Sequence, residues 1–233
     1  MRTIDPLRYR CTNIGEEVGG NYHRVQRVQA EILNAKRARV IHLVVRRFDP
    51  AIPHGMGPSQ THEFDMHALL SGTKIPVIPT MRLDDDDVVY QTDLTEGGRK
   101  FVISAFNTPF DALAFIDAVE AQRDRLPDGH AVLCQMDDIA SRCAAARVHI
   151  ARPDALFFVI DLQSRGNTIV RVGNYAHVRE SAEDVNELYE KNIGVCADAF
   201  SNPQLQKLYG WTRAGVYREL SLMRSPPSLV PAA

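Results

Sequence analysis

Five side chains able to move protons or hold metals crowd into fourteen positions: His54, His62, Glu63, Asp65 and His67. Four consecutive acids, Asp84-Asp85-Asp86-Asp87, begin seventeen residues beyond His67. Imidazoles suit zinc and carboxylates suit hard cations, so His62, Asp65, Asp85 and Asp87 form a candidate set of divalent-metal ligands. Adjacent carboxylates repel one another, and a bound cation would relieve that cost. The spacing of His62 and His67 is not HExxH, because the second histidine falls at i+5. On a helix, Glu63 and His67 share one face, and either is a candidate base for abstracting a proton from an acceptor amine. A polar loop and helix surface is the plain alternative for the whole cluster.

Composition narrows the field. With 233 residues, 45% apolar and 24% charged, the chain supports one substantial core of ordinary character. A formal net charge of -2 gives no overall basic field for nucleic acid or anionic membrane. Arg24, Arg27, Lys36, Arg37, Arg39, Arg46 and Arg47 make a local basic stretch, expected to be a solvated face. No apolar run reaches the ~20 residues that span a bilayer. Met1 to Pro6 has no apolar core of a secretory signal. Cys11, Cys134, Cys143 and Cys196 are widely spaced without a CxxC pair, which points to free thiols in a reducing compartment. Cytoplasmic residence is the expectation, and delivery by a specialised secretion system would leave no mark in such a sequence.

The elements that must position these residues follow from pattern. An irregular segment, 1–20, precedes a helix expected over Tyr22 to Lys36, capped by Asn21, with Val25, Val28, Ile32 and Leu33 at helical spacing. The apolar run 39–48 predicts a central strand, and His62 to Leu70 a short helix. Strands are expected at 74–83, 88–94 and 99–106, the last two joined as a hairpin through Thr95-Glu96-Gly97-Gly98. A helix over 111–126 starts behind Thr108-Pro109. A strand at 130–136, a helix at 137–147 and a hairpin of 155–162 with 168–172 come next. Two helices, separated by Asn202-Pro203, and a disordered tail 225–233 end the chain. The fold class is α/β (α+β): a single mixed, mostly antiparallel sheet flanked by helices, in one domain over 21–224.

This element order resembles that of GNAT-type acyltransferases over about 39 to 173. His130 to Ala140 looks like that family's fifth strand with its polar turn and helix. The resemblance implies acyl-coenzyme A as cofactor, with its pyrophosphate at the N-terminus of the 111–126 helix near Asn107, Thr108 and Phe110. Ser104 to Phe110 has neither the glycines nor the arginine of the family's phosphate loop. It also implies a small-molecule or peptide amine as acceptor, deprotonated by Glu63 or His67. Two other functions stand beside acyl transfer. One is a metal-dependent transferase or hydrolase built on the His/acid cluster. The other is a non-catalytic virion, assembly or effector protein that meets a protein partner through its C-terminal helices, where Tyr209, Trp211 and Tyr217 lie.

Overall fold

Alternation, not helical spacing, governs the N-terminal segment. In a computed structural model of the chain, residues 9–19, 23–33, 39–48, 60–82, 88–95, 100–104, 129–161, 163 and 167–223 are described. Between His23 and Ile32, Gln26, Val28, Ala30 and Ile32 are buried while the residues between them are partly exposed. That period of two belongs to a strand. The helix expected over Tyr22 to Lys36 is therefore corrected to strand β3 (His23–Ile32). β3 pairs antiparallel along its length with β4 (Arg39–Phe48), whose bounds are those expected from the apolar run. The opening segment, expected to be irregular, carries β1 (Tyr9–Asn13) and β2 (Val18–Gly19), both paired to β3.

Helix α1 (Gln60–Gly72) follows and buries Glu63, Met66 and Leu70 along one stripe. Its end is closed by the Thr73 hydroxyl, which donates to Leu70 O at 2.7 Å, and by Lys74 in the left-handed region (φ 61°). In place of a strand across 74–83 there is only β5 (Thr80–Met81) and a single bridge from Val77 to Val172. The prolines Pro76 and Pro79 account for this, because neither can donate to a ladder. β6 (Val88–Thr92) pairs with β4 on one side and β5 on the other.

β7 (Lys100–Ser104) exists where a strand was expected, but its partner is not β6. Both edges of β6 are already taken, so β7 pairs instead with β9 (Leu156–Asp161), which pairs in turn with β10 (Asn167–Val172). The expected second hairpin is thus present, while the first is not. The strand and helix expected at 130–136 and 137–147 are one continuous helix, α2 (Gly129–Ala145). Val132, Leu133, Met136, Ile139, Ala140, Cys143 and Ala144 are its buried positions, a 3–4 spacing that overrides the strand preference of single residues. The helix expected over 111–126 and the tail from 225 lie outside the described residues.

β8 (Val148–Ile150) pairs with β11 (Val178–Glu180), giving three antiparallel sheets among the described residues. Three helices close the chain: α3 (Val185–Asp198), α4 (Pro203–Tyr209) and α5 (Arg213–Met223). Asp184 caps α3 by accepting from Asn186 N, and Asn202 caps α4 by accepting from Gln204 N, each at 2.8 Å. Three sheets among the described residues replace the single sheet expected, while the α/β class, with antiparallel strands flanked by helices, is as expected. The acyltransferase order of strands is not. The larger core joins α1, α2, α3 and α5 to the hairpin of β9 and β10, with Tyr175, Tyr189, Phe158 and Phe200 fully buried in it. A smaller cluster of Val28, Ala30, Leu43, Val45 and Tyr90 lies on the five-strand path of the first sheet. Cys143 and Cys196 lie in the core, and Cys11 and Cys134 are exposed. No described helix is long and apolar enough to cross a membrane.

Candidate functional site

One cation is buried where the two clusters meet. Arg46, in β4, has a side chain only 5% exposed, and its Nη2 donates to Glu63 Oε1 in α1 at 2.6 Å. Glu63 is fully buried. The same Nη2 donates to Asn174 Oδ1 at 3.1 Å, while Nη1 donates to Gln91 Oε1 at 3.2 Å and to Gly173 O at 3.4 Å. The fork therefore ties β4, β6, α1 and the turn after β10 together. A guanidinium has five N–H groups, and four are spent on these acceptors. Arg46 Nε and Glu63 Oε2 are both buried without a hydrogen-bond partner among the described residues.

Each neighbour is itself fixed. Gln91 Nε2 donates to Gly173 O at 2.6 Å and to Thr80 Oγ1 at 3.2 Å. Gly173 has no room for a side chain, since a Cβ there would meet Ile78 Cδ1 at 2.2 Å and Phe157 Cδ2 at 3.0 Å. The Tyr175 hydroxyl donates to Ile78 O at 2.6 Å and to Val172 O at 3.2 Å. Its ring meets the His67 ring edge-on, with centroids 5.5 Å apart. Beyond α1 the charges alternate: His177 Nε2 lies 3.2 Å from Asp154 Oδ2, and Arg152 Nε lies 3.5 Å from Asp154 Oδ1. Burial pushes the Glu63 carboxyl up from its ordinary value, opposed by Arg46 and by the charges of His62 and His177.

The residues singled out from sequence are distributed as follows. Glu63 faces the core, and its Oε1 is engaged by Arg46. His67 Nε2 accepts from Thr80 N at 3.3 Å and lies 3.4 Å from Ser71 Oγ. His62 Nε2 lies 2.7 Å from Val178 O, and Asp65 is exposed. Asp85, Asp87, Asn107, Thr108 and Phe110 lie outside the described residues. Among the described residues no three His, Cys, Asp or Glu side chains come together as a metal group, and the expected set of His62, Asp65, Asp85 and Asp87 is only half within them. Arg46, Gln91 and Asn174 were missed. The signal for Arg46 was a charge directly after the apolar run Leu43-Val44-Val45 of an expected central strand, which the solvated-face reading of the basic stretch overlooked.

Burial holds the His67 imidazole below its ordinary value of 6.5, and His149 is lowered by burial first and by Arg179 second. Both are neutral in the folded chain at a pH where the unfolded chain would protonate them. The unfolded state then binds more protons, so stability is complete above about pH 6.5 and falls on acidification below it. The thermal midpoint is expected to drop between about pH 7.5 and about pH 5.5. The His67→Gln variant, which keeps an acceptor for Thr80 N, should lose part of that drop. A midpoint that holds level or rises on acidification would contradict the assignment.

No protein-family model and no curated protein sequence matches the chain. Among solved structures it is similar to WaaP in complex with acyl carrier protein, at 9% identity and a TM-score of 0.42, over 91% of this chain and 88% of that one. It is also similar to the choline kinase LicA from Streptococcus pneumoniae, at 12% identity and a TM-score of 0.42, over 97% of this chain and 78% of that one. Acyl transfer, acyl-coenzyme A and membership of the acyltransferase family are withdrawn, because the pairing of β7 and the continuous helix α2 differ from the element order that implied them.

Proposed function

We propose that the protein is a kinase-like protein that binds a nucleoside polyphosphate where β4, α1 and the turn after β10 converge. The observation that carries this reading is the Arg46–Glu63 pair, at 2.6 Å between a central strand and the helix that follows it. Protein kinases use a strand cation paired to a helix glutamate to hold the donor's phosphates. Arg46 supplies the positive charge here, and its permanent protonation suits a phosphate oxygen. The two contacts to the turn, at 3.1 and 3.4 Å to Asn174 and Gly173, are longer than the bond to Glu63. A phosphate oxygen reaches the fork by replacing one of those acceptors, and the Glu63 bond keeps the guanidinium oriented. Gly15, between β1 and β2, and Gly19, at the end of β2, add a segment where backbone can approach phosphate closely.

The test is a calorimetric titration with ATP and with a non-hydrolysable analogue, with and without Mg²⁺. The double variant Arg46→Met/Glu63→Leu serves as the comparison, because an apolar pair of similar volume tends to preserve a fold that loses a buried ion pair. Binding to the wild-type chain and at least about tenfold weaker binding to the folded double variant is expected, the loss of one charge-assisted phosphate contact. Absence of any heat at millimolar nucleotide, or equal affinity for both forms, would remove the reading.

A further inference from the structure

The proposed nucleotide site differs from a kinase site in the residue beside its cation. Protein kinases hold their two magnesium ions with an aspartate and with an asparagine of the catalytic loop. In this chain the side chain next to the strand cation is Asn174, an amide, and its Oδ1 already accepts from Arg46 Nη2 at 3.1 Å. Its Nδ2 then carries two donors, with no partner among the described residues, and Asn174 is partly exposed. Donors repel a metal ion and attract a phosphate oxygen.

Among the described residues the other oxygen sources close by are engaged or lie against a cation. Ala155 O accepts from Gly173 N at 2.9 Å. Asp154 Oδ2 lies 3.2 Å from His177 Nε2, and its buried Oδ1, which accepts no hydrogen bond, lies 3.5 Å from Arg152 Nε. Glu63 Oε2 is unpartnered, but the guanidinium 2.6 Å from the same carboxylate would repel a dication placed there. Each carboxylate near Asn174 among the described residues thus faces a guanidinium, which does not fit a divalent ion.

We infer that this site takes the nucleoside triphosphate as the free polyanion, with the Arg46 guanidinium and the Asn174 amide donating to phosphate oxygens in the place that a metal ion has in a kinase. The inference rests on the nucleotide-binding reading, and it makes Asn174 the residue that sets metal dependence. The Arg46–Glu63 pair balances its own charge, and an amide beside it adds none. A carboxylate at the same position would make the cluster net negative and offer a ligand to a cation instead.

Calorimetry of ATP binding in excess EDTA and in excess Mg²⁺ or Mn²⁺, with the wild-type chain and with Asn174→Asp, separates the possibilities. The wild-type affinity is expected to be as high or higher in EDTA, within about twofold of the metal condition or better. The Asn174→Asp variant, with its fold checked by circular dichroism, is expected to bind free ATP at least about tenfold more weakly and to regain affinity when Mg²⁺ is added. A wild-type chain that binds ATP tenfold or more tightly with Mg²⁺ overturns the metal-free inference and leaves nucleotide binding standing. Unchanged EDTA affinity in Asn174→Asp overturns the role given to Asn174. No ATP binding under either condition defeats both readings together.

Discussion

Replacing Glu63 alone by leucine should cost about 3–5 kcal/mol of folding stability, because it strands a buried guanidinium without its counter-charge. Arg46 would retain Gln91, Gly173 and Asn174 as acceptors, yet none of these is anionic. The double variant Arg46→Met/Glu63→Leu should recover most of that loss, since two apolar side chains need no desolvated charge. Denaturant midpoints at constant slope, measured for both singles and the double, give the coupling energy directly. Additive losses, with the double worse than either single, would show that the two side chains do not act as a pair.

The second large effect is expected far from that junction. Asn192, fully buried in α3, accepts from Ile150 N at 2.9 Å and donates from Nδ2 to Val148 O at 3.0 Å. It thus completes the backbone bonding of β8 from the helix side. Asn192→Ala leaves a buried N–H and a buried C=O without partners, at about 1–3 kcal/mol each. A loss of about 2–4 kcal/mol is expected, and Asn192→Leu, which refills the volume, should recover little of it. If leucine restored stability, the cost would belong to the cavity and not to the hydrogen bonds.

Sequence pattern gave the local elements more reliably than their partners. β4, α1 and the hairpin of β9 and β10 were legible because each carries its own signal: an uninterrupted apolar run, a short buried stripe, and two β-rich runs around a polar turn. The break at Asn202-Pro203 was legible for the same reason, and there Asn202 caps α4 by accepting from Gln204 N. β3 was misread because Val25, Val28 and Ile32 also satisfy a helical spacing, and only pairing with β4 selects the period of two. α2 was misread because Val132, Leu133 and Cys134 favour strands as individual residues, while burial at 3–4 spacing decides for the helix. The partner of β7 could not be read locally, since the glycines at 97 and 98 suggest a hairpin whichever edge of β6 is open.

The site was legible only in half. Glu63 stood out by its company of histidines and acids, although its pairing with Arg46 was not part of that reading. Arg46 looked like one more surface arginine, and Asn174 like a turn residue. Their meeting spans 128 residues of sequence, and no spacing rule reaches across such a separation. What reveals them is physical accounting: a buried cation must find acceptors, and here they come from three separate elements.

Amide hydrogen exchange with and without saturating ATP tests the central claim most directly, because it reads the three segments at once. The account predicts slowed exchange concentrated at residues 44–48, 61–65 and 172–176, where β4, α1 and the turn after β10 meet at Arg46. Exchange unchanged at those segments, or protection confined to the C-terminal helices 185–223, would contradict it.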